Sequence, residues 1–241
     1  MQANQSSTVA EIAAGSLAAV RVFERLGIDY CCGGKLPLAD ACRTKGLDSE
    51  AVQRELDAAT NASTAAARDW NTAPLSELIT HIVNTHHAYL KRELQPLSER
   101  LAKVYRVYNQ RYGETFIGLP EVFAGLRSEM EMHMHKEERM LFPAIAANES
   151  AAGAGEPLPQ SPFGTVNNPI RMMEAEHESA GLALAEIRTI TRNFEVPDYA
   201  CVTFKALMSG LEELEKDLHL HIHLENNILF PRAVELEHAQ R

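Results

Sequence analysis

The chain has 241 residues, 45% hydrophobic and only 6% aromatic, with a formal net charge of −10. That length supports one sizeable core plus a small extra domain, and an aromatic-poor composition rich in Ala, Leu and Glu favours helix over strand. An acidic chain with no basic block is a poor match for nucleic acid or an anionic membrane, no apolar run approaches a bilayer's span, and polar, uncharged Met1–Thr8 lacks the features of a secretory leader, so a cytoplasmic location is expected.

In chain order, Thr8 and Glu11 form a capping-box signature ahead of an apolar stripe through Ile12, Leu17, Val20 and Phe23, and Gly27 stops that helix. Cys31-Cys32-Gly33-Gly34 makes a turn, Pro37 starts a second helix, and Asp48 or Ser49 caps a third. Ala58–Arg68, rich in Ala, Thr, Asn and Ser, frays as a linker or extends a helix and marks the domain boundary. The expected domains are residues 1–60, small and helical, and residues 70–241. The second carries four longer helical patterns, Leu75–Asn109, Leu119–Ala147, Asn168–Asn193 and Tyr199–Glu237. Glu149–Thr165, with Gly, Pro and Ser and no periodicity, reads as a surface connection. The fold class is all-α, an antiparallel four-helix bundle behind a small N-terminal helical domain.

The four helices are two copies of one pair. Leu126, Met130, His133, Glu137 and Leu141, followed by Phe142-Pro143, return 88 residues later as Leu214, Leu218, His221, Glu225 and Leu229, followed by Phe230-Pro231. Val83, His87, Leu90 and Leu94 return 90 residues later as Met173, His177, Ala180 and Leu184. A repeat of this kind signals a duplicated structural unit. Each half thus offers one inward His from its first helix and one His-x-x-x-Glu pair from its second.

Residues four apart on a helix lie one turn apart on one face, so each His and Glu can reach a common centre. Their neighbours are Leu, Met and Val, and burying polar groups without partners is costly. Four imidazoles and two carboxylates are too many for one tetrahedral zinc. They suit two first-row ions between bundle helices, with Glu137 and Glu225 bridging and two histidines on each ion. Two bridging carboxylate oxygens, two histidines and one oxo or hydroxo bridge leave a position for a small ligand such as O2 or NO. Because bound histidines must be neutral, acid is expected to release metal. The same ligands accept iron or manganese.

The remaining histidines are assigned elsewhere. His86 rivals His87, but only His87 keeps the repeated stripe; His81 falls on another face, as a surface group or one behind the ligands. His135 and His223 point away from the ligands, facing solvent or packing between helices, and His219 is similar; His238 lies in a frayed tail. Glu138, whose repeat mate is Asn226, is expected to be exposed. Four unevenly spread cysteines argue against a disulfide scaffold. Cys31 and Cys32 are either a small-residue turn in which Gly33-Gly34 supplies positive φ, or a functional thiol pair; a disulfide between them would be strained. Cys42 and Cys201 are expected to be buried small groups.

His133-x-x-x-Glu137 and His221-x-x-x-Glu225, each leading into Leu-Phe-Pro, resemble hemerythrin-like domains. Ile28-Asp29-Tyr30-Cys31-Cys32-Gly33-Gly34-Lys35 is similar to the small domain that precedes such a bundle in the iron–sulfur cluster repair proteins, also called repair-of-iron-centres di-iron proteins. The likeness continues through Asp69-Trp70, Glu174-Ala175-Glu176-His177 and Leu224-Glu225-Asn226-Asn227. The resemblance implies a hemerythrin-like bundle with an oxo-bridged pair of irons held by His87, His133, Glu137, His177, His221 and Glu225. It also implies that Glu176 is an acid near the metals, supporting them or handling protons, and that Cys31 and Cys32 are functional. Residues 151–161 make a longer stretch than the family pattern calls for.

The leading function so implied is repair of iron–sulfur clusters damaged by nitrosative or oxidative stress, with damaged iron–sulfur proteins as clients. Alternatives are binding of NO for buffering or sensing, and reduction of NO to N2O. Hemerythrin-like O2 carriage ranks last, because the resemblance implies one histidine fewer than the respiratory type. Whether the protein is an enzyme, and whether it is a monomer or a homodimer, stay open at this point.

Overall fold

The computed structural model describes residues 7–62, 68–112 and 116–240. Among these there is no strand; the one β-bridge joins Thr8 and Pro37. The chain divides into two compact units, Met1–Thr80 with Ala144–Ile170 and His219–Arg241, and His81–Pro143 with Arg171–Leu218. All four crossings between them fall inside helices.

In the first unit, α1 (Val9–Gly15) opens on the expected capping box: the Glu11 amide donates to the Thr8 hydroxyl, and the Thr8 amide donates to the Glu11 carboxylate. The expected single helix is broken at Ser16. Its extended backbone ends α1, and its hydroxyl accepts from the Ala19 amide to start α2 (Leu17–Leu26). The break takes Leu17 out of the stripe and leaves it exposed. Gly27, at φ 66°, closes α2 in the left-handed conformation that favours glycine. α3 (Leu38–Thr44) follows Pro37, and Asp48 accepts from the Glu50 amide at the head of α4 (Ser49–Ala62). Val9, Val20, Phe23, Tyr30, Leu38, Val52 and Leu56 form the centre of the apolar cluster these helices enclose. Part of the expected linker, residues 63–67, lies outside the described residues.

The long patterns are helices interrupted by single π turns. α5 (Leu75–Ile82) passes through Val83–His87 into α6 (Ala88–Tyr112). α7 (Leu119–Lys136) passes through Glu137–Leu141 into α8 (Phe142–Ala154), so part of the expected surface connection is helix. α9 (Asn167–Ile190) is uninterrupted. α10 (Val202–Leu224) passes through Glu225–Leu229 into α11 (Phe230–Ala239).

At each π turn a backbone amide reaches the carbonyl five residues back: Ala88 to Val83, Phe142 to Glu137 and Phe230 to Glu225. Pro143 and Pro231 follow two of these turns. Lacking an N–H, each removes the bond that would hold the ordinary α register, which makes the wider turn less costly there.

Within the first unit, the Glu149 carboxylate caps α5, accepting from the amides of Leu75 (2.5 Å) and Ser76 (2.9 Å). Arg232 donates to the carbonyls of Trp70 and Ala73. In the second unit, apolar side chains at helical spacing are buried: Leu90, Leu94, Leu97 and Leu101 on α6, Leu126 and Met130 on α7, Ala180 and Leu184 on α9, and Leu207, Leu211 and Leu214 on α10.

Candidate metal centre

Three of the six sequence-selected side chains sit at π turns. His87 ends one, and Glu137 and Glu225 each begin one; His177 lies in regular α9. All six are buried, with His221 at 1% exposure and the other five at 0%. Their ligand atoms fall into two groups. His87, Glu137, His221 and Glu225 form one, and His133, Glu137, His177 and Glu225 the other, each with its atoms within 4.8 Å of one another. The two carboxylates are common to both groups.

The hydrogen bonds around the histidines decide which nitrogen faces inward. His87 Nδ1 lies 2.8 Å from Glu138 Oε1, and His133 Nδ1 lies 2.9 Å from Glu176 Oε2. An ionised carboxylate only accepts, so each Nδ1 carries the proton and, in the neutral ring, each Nε2 carries a lone pair. Those lone pairs point at the Glu137 carboxylate, whose Oε2 is 3.4 Å from His87 Nε2 and 3.3 Å from His133 Nε2. His177 Nε2 is 2.9 Å from His133 Nε2, and His221 Nε2 is 3.0 Å from Glu225 Oε1.

Lone pairs converging on a buried carboxylate repel unless cations lie among them. Two ligands about 2.1 Å from a shared ion at a right angle stand about 3 Å apart, which is the spacing seen. The residues present therefore fit a metal.

The carboxylates behind the histidines are themselves held. Glu138 also accepts from Lys91 Nζ at 2.5 Å, and Glu176 pairs with Lys136. Partial burial works to raise both acids, but the lysine and histidine partners outweigh it and hold both below the usual carboxylate range. Glu138 is thus a correction: it is partly buried and bonded to His87. Its mismatch with Asn226, which the sequence offered as a mark of exposure, gave no sign of this bond.

His86 is buried and bonded through Nδ1 to Asp217 at 2.9 Å, a partner sequence reasoning did not identify. His135 is exposed, whereas His223 is buried with its ring 5.5 Å from that of Tyr30.

Cys31 is buried and Cys32 half-buried; they form no disulfide, and the Cys31 thiol donates to the Cys32 sulfur at 3.8 Å. The Asp29 carboxylate accepts from the amides of Cys31, Cys32 and Gly33, and so shapes the turn. The neighbouring Cys32 sulfur, burial and the Asp29 charge all push the Cys31 thiol up. Asn227, two residues after Glu225, donates to the carbonyls of Tyr30 and Cys31.

Two cysteine expectations change. Gly33 and Gly34 are not among the positive-φ glycines. They are needed for close approach: a Cβ on Gly33 would stand 2.8 Å from an Asp29 oxygen, and one on Gly34 2.7 Å from the Tyr30 carbonyl. Cys201 is exposed, because it precedes α10, where its own amide donates to the Tyr108 hydroxyl.

Fold and site together define a helical-bundle protein with a buried histidine–carboxylate metal centre. Residues 78–233 match the family described as the hemerythrin HHE cation binding domain, and residues 5–60 match a domain of unknown function (DUF542). The chain is 39% identical over 224 residues to the iron-sulfur cluster repair protein YtfE of Citrobacter koseri, covering 93% of this chain and 94% of that one. It is 38% identical over 232 residues to the proteins of that name from Escherichia coli O157:H7 and Shigella boydii serotype 4, covering 96% of this chain and 98% of theirs. The chain belongs to the family of iron–sulfur cluster repair proteins with a hemerythrin-type domain.

Proposed function

We propose that this protein is a cytoplasmic di-iron protein that repairs damaged iron–sulfur clusters. The observation that carries the reading is the pair of four-residue groups sharing Glu137 and Glu225. One carboxylate common to two donor sets is what a pair of bridged ions requires, and a single ion has no use for it. In this reading His87 and His221 would hold one iron and His133 and His177 the other, with Glu137 and Glu225 serving both. When bound, an oxo-bridged iron pair would supply redox-active metal open to a small ligand such as NO or O2 and available for a client's damaged cluster.

The chain's own residues have separable tasks. Phe142, buried and stacked on His87 with ring centroids 5.7 Å apart, keeps water from that donor. Glu176, about a quarter exposed and bonded to both His133 Nδ1 and Lys136, is placed to hold or pass a proton between that ring and solvent. Residues 1–60 act as a small domain that presents Cys31 and Cys32, and residues 70–241 act as the bundle. Cys32, the more exposed of the two, meets the client first.

The test is reactivation of an iron–sulfur hydratase inactivated by NO. Iron-loaded protein should restore activity faster than the same amount of free ferrous iron. Equal rates would remove the repair reading, and metal analysis with an optical spectrum of the same sample would still report on the di-iron pair.

A further inference from the structure

The two π turns that begin on a shared glutamate differ in what lies against them. In the first half, His135 and Arg139, two residues before and two after Glu137, are both exposed. Their repeat mates 88 positions on are His223 and Asn227, which flank Glu225 in the same way; His223 is buried and Asn227 half-buried. The Cys31-Cys32 turn is what covers them. Asn227 Nδ2 donates to two successive carbonyls, Tyr30 at 3.1 Å and Cys31 at 3.2 Å, and stands 3.0 Å from His223 Nδ1. The Tyr30 ring packs edge-to-face on His223 and His219, with centroids 5.5 and 6.2 Å away. From within the turn, the Asp29 carboxylate accepts from the Cys31 thiol at 3.3 Å as well as from the backbone amides. The thiols are therefore held from two sides. One holder, Asn227, belongs to the π turn Glu225–Leu229, whose first residue serves both donor groups.

We infer that Asn227 is a positioning residue that couples the metal centre to the thiols: with metal bound, the π turn keeps Cys31 buried, and loss of metal loosens the Cys31-Cys32 turn. The inference rests on the di-iron reading.

Glu225 is at 0% exposure beside a second buried carboxylate, so without cations the two repel and the backbone carrying Glu225 bears the strain. Cations remove the repulsion and fix the carboxylate. Asn227 is two residues further along the same turn and moves with it. Its bonds at 3.1 and 3.2 Å are at the long end of the N–H···O range, so a shift of about 0.5 Å takes both beyond hydrogen-bonding distance. The carbonyls so released belong to the peptides on either side of Cys31, whose orientation decides how deeply that side chain is buried. Such a coupling is reciprocal, and the bonds that hold the turn also favour metal retention. For the repair reading the consequence is one of order: Cys31 becomes reactive once iron has left, not while it is held.

The experiment is pulsed alkylation of the full-length protein with iodoacetamide, anaerobically and at one fixed pH, in iron-loaded and metal-free form. It is read by mass spectrometry on the tryptic peptide Leu26–Lys35, which carries Cys31 and Cys32 and neither of the other cysteines. Iron content and circular dichroism are recorded on the same samples. In wild type, loading should slow alkylation at least about 5-fold, the lower end of typical couplings between sites. In Asn227→Ala the loaded and metal-free rates should converge on the faster value, whereas Arg139→Ala, at the exposed repeat mate, should keep the wild-type ratio. Asn227→Asp has the same shape without the N–H donors and makes the same comparison if the alanine variant folds poorly; the wild-type ratio is a test by itself. Equal rates in loaded and metal-free wild type overturn the coupling while leaving the di-iron reading standing. An iron-loaded, folded Asn227→Ala that keeps the wild-type ratio also overturns it, because metal then shields the thiols by binding them directly or by a route that bypasses Asn227. A wild-type chain that takes up no iron sinks the di-iron reading and the coupling together.

Discussion

At the scale of single residues, sharing and burial make distinct predictions. Glu137 belongs to both donor groups, so Glu137→Ala should cost the protein both ions, whereas His87→Ala should cost chiefly one. Metal analysis after loading and desalting separates these outcomes. His223 offers a prediction about pH. Burial pushes it from 6.5 down to about 4, against a hydrogen bond with the Tyr30 backbone that pulls the other way. Between those values the unfolded chain binds a proton that the folded chain refuses, so folding stability falls as pH drops through that window. Urea unfolding of metal-free protein at pH 7 and pH 5 should show a smaller pH difference for His223→Gln than for wild type. An unchanged difference would mean the histidine is already charged when folded.

At the scale of elements, helix ends and helix interruptions do most to place the site. The Glu149 carboxylate satisfies two otherwise orphaned amides at the start of α5, the helix leading to His87. Burial works to raise its pKa, but the Ser76 and Leu75 amides prevail and hold it low. Its stabilising effect is therefore present above the ordinary carboxylate range and is lost as pH falls through the depressed value. Glu149→Gln should lower stability by about 1 kcal/mol at neutral pH and by little in strong acid, measured by denaturant titration. The π turns show what helical periodicity conceals. A count of i and i+4 positions finds His133 with Glu137 and His221 with Glu225, because each pair lies before or at the first residue of the wider turn. The same count gives no sign of the extra residue per turn that follows. The break at Ser16 was equally hidden, since a serine inside an apolar stripe reads as an ordinary helical residue until its hydroxyl is seen capping α2.

At the scale of the whole molecule, the centre places a cost on the metal-free fold. Six polar side chains at 0–1% exposure include two carboxylates, and their mutual repulsion is relieved by cations. Metal that binds only the folded state stabilises it by mass action. Removing iron with a chelator should lower the melting temperature, and adding ferrous iron back should restore it. The drop should be smaller in Glu137→Ala, which has lost both ions and one of the repelling charges. A wild-type melting temperature indifferent to metal would contradict the centre as described.

The amino-acid sequence alone determined the all-helical class and, through its duplicated half, singled out the six histidines and glutamates that the fold gathers into two groups. It did so because an inward polar residue at a repeated core position leaves a mark in one dimension: the apolar stripe is interrupted twice, in register, by the same residue types. What lies behind those six left no such mark. Glu138 reached His87 from another helix, and His86 found Asp217 131 positions away. These were decided only by tertiary structure, because hydrogen bonds between helices depend on distances in space that neither periodicity nor spacing along the chain encodes.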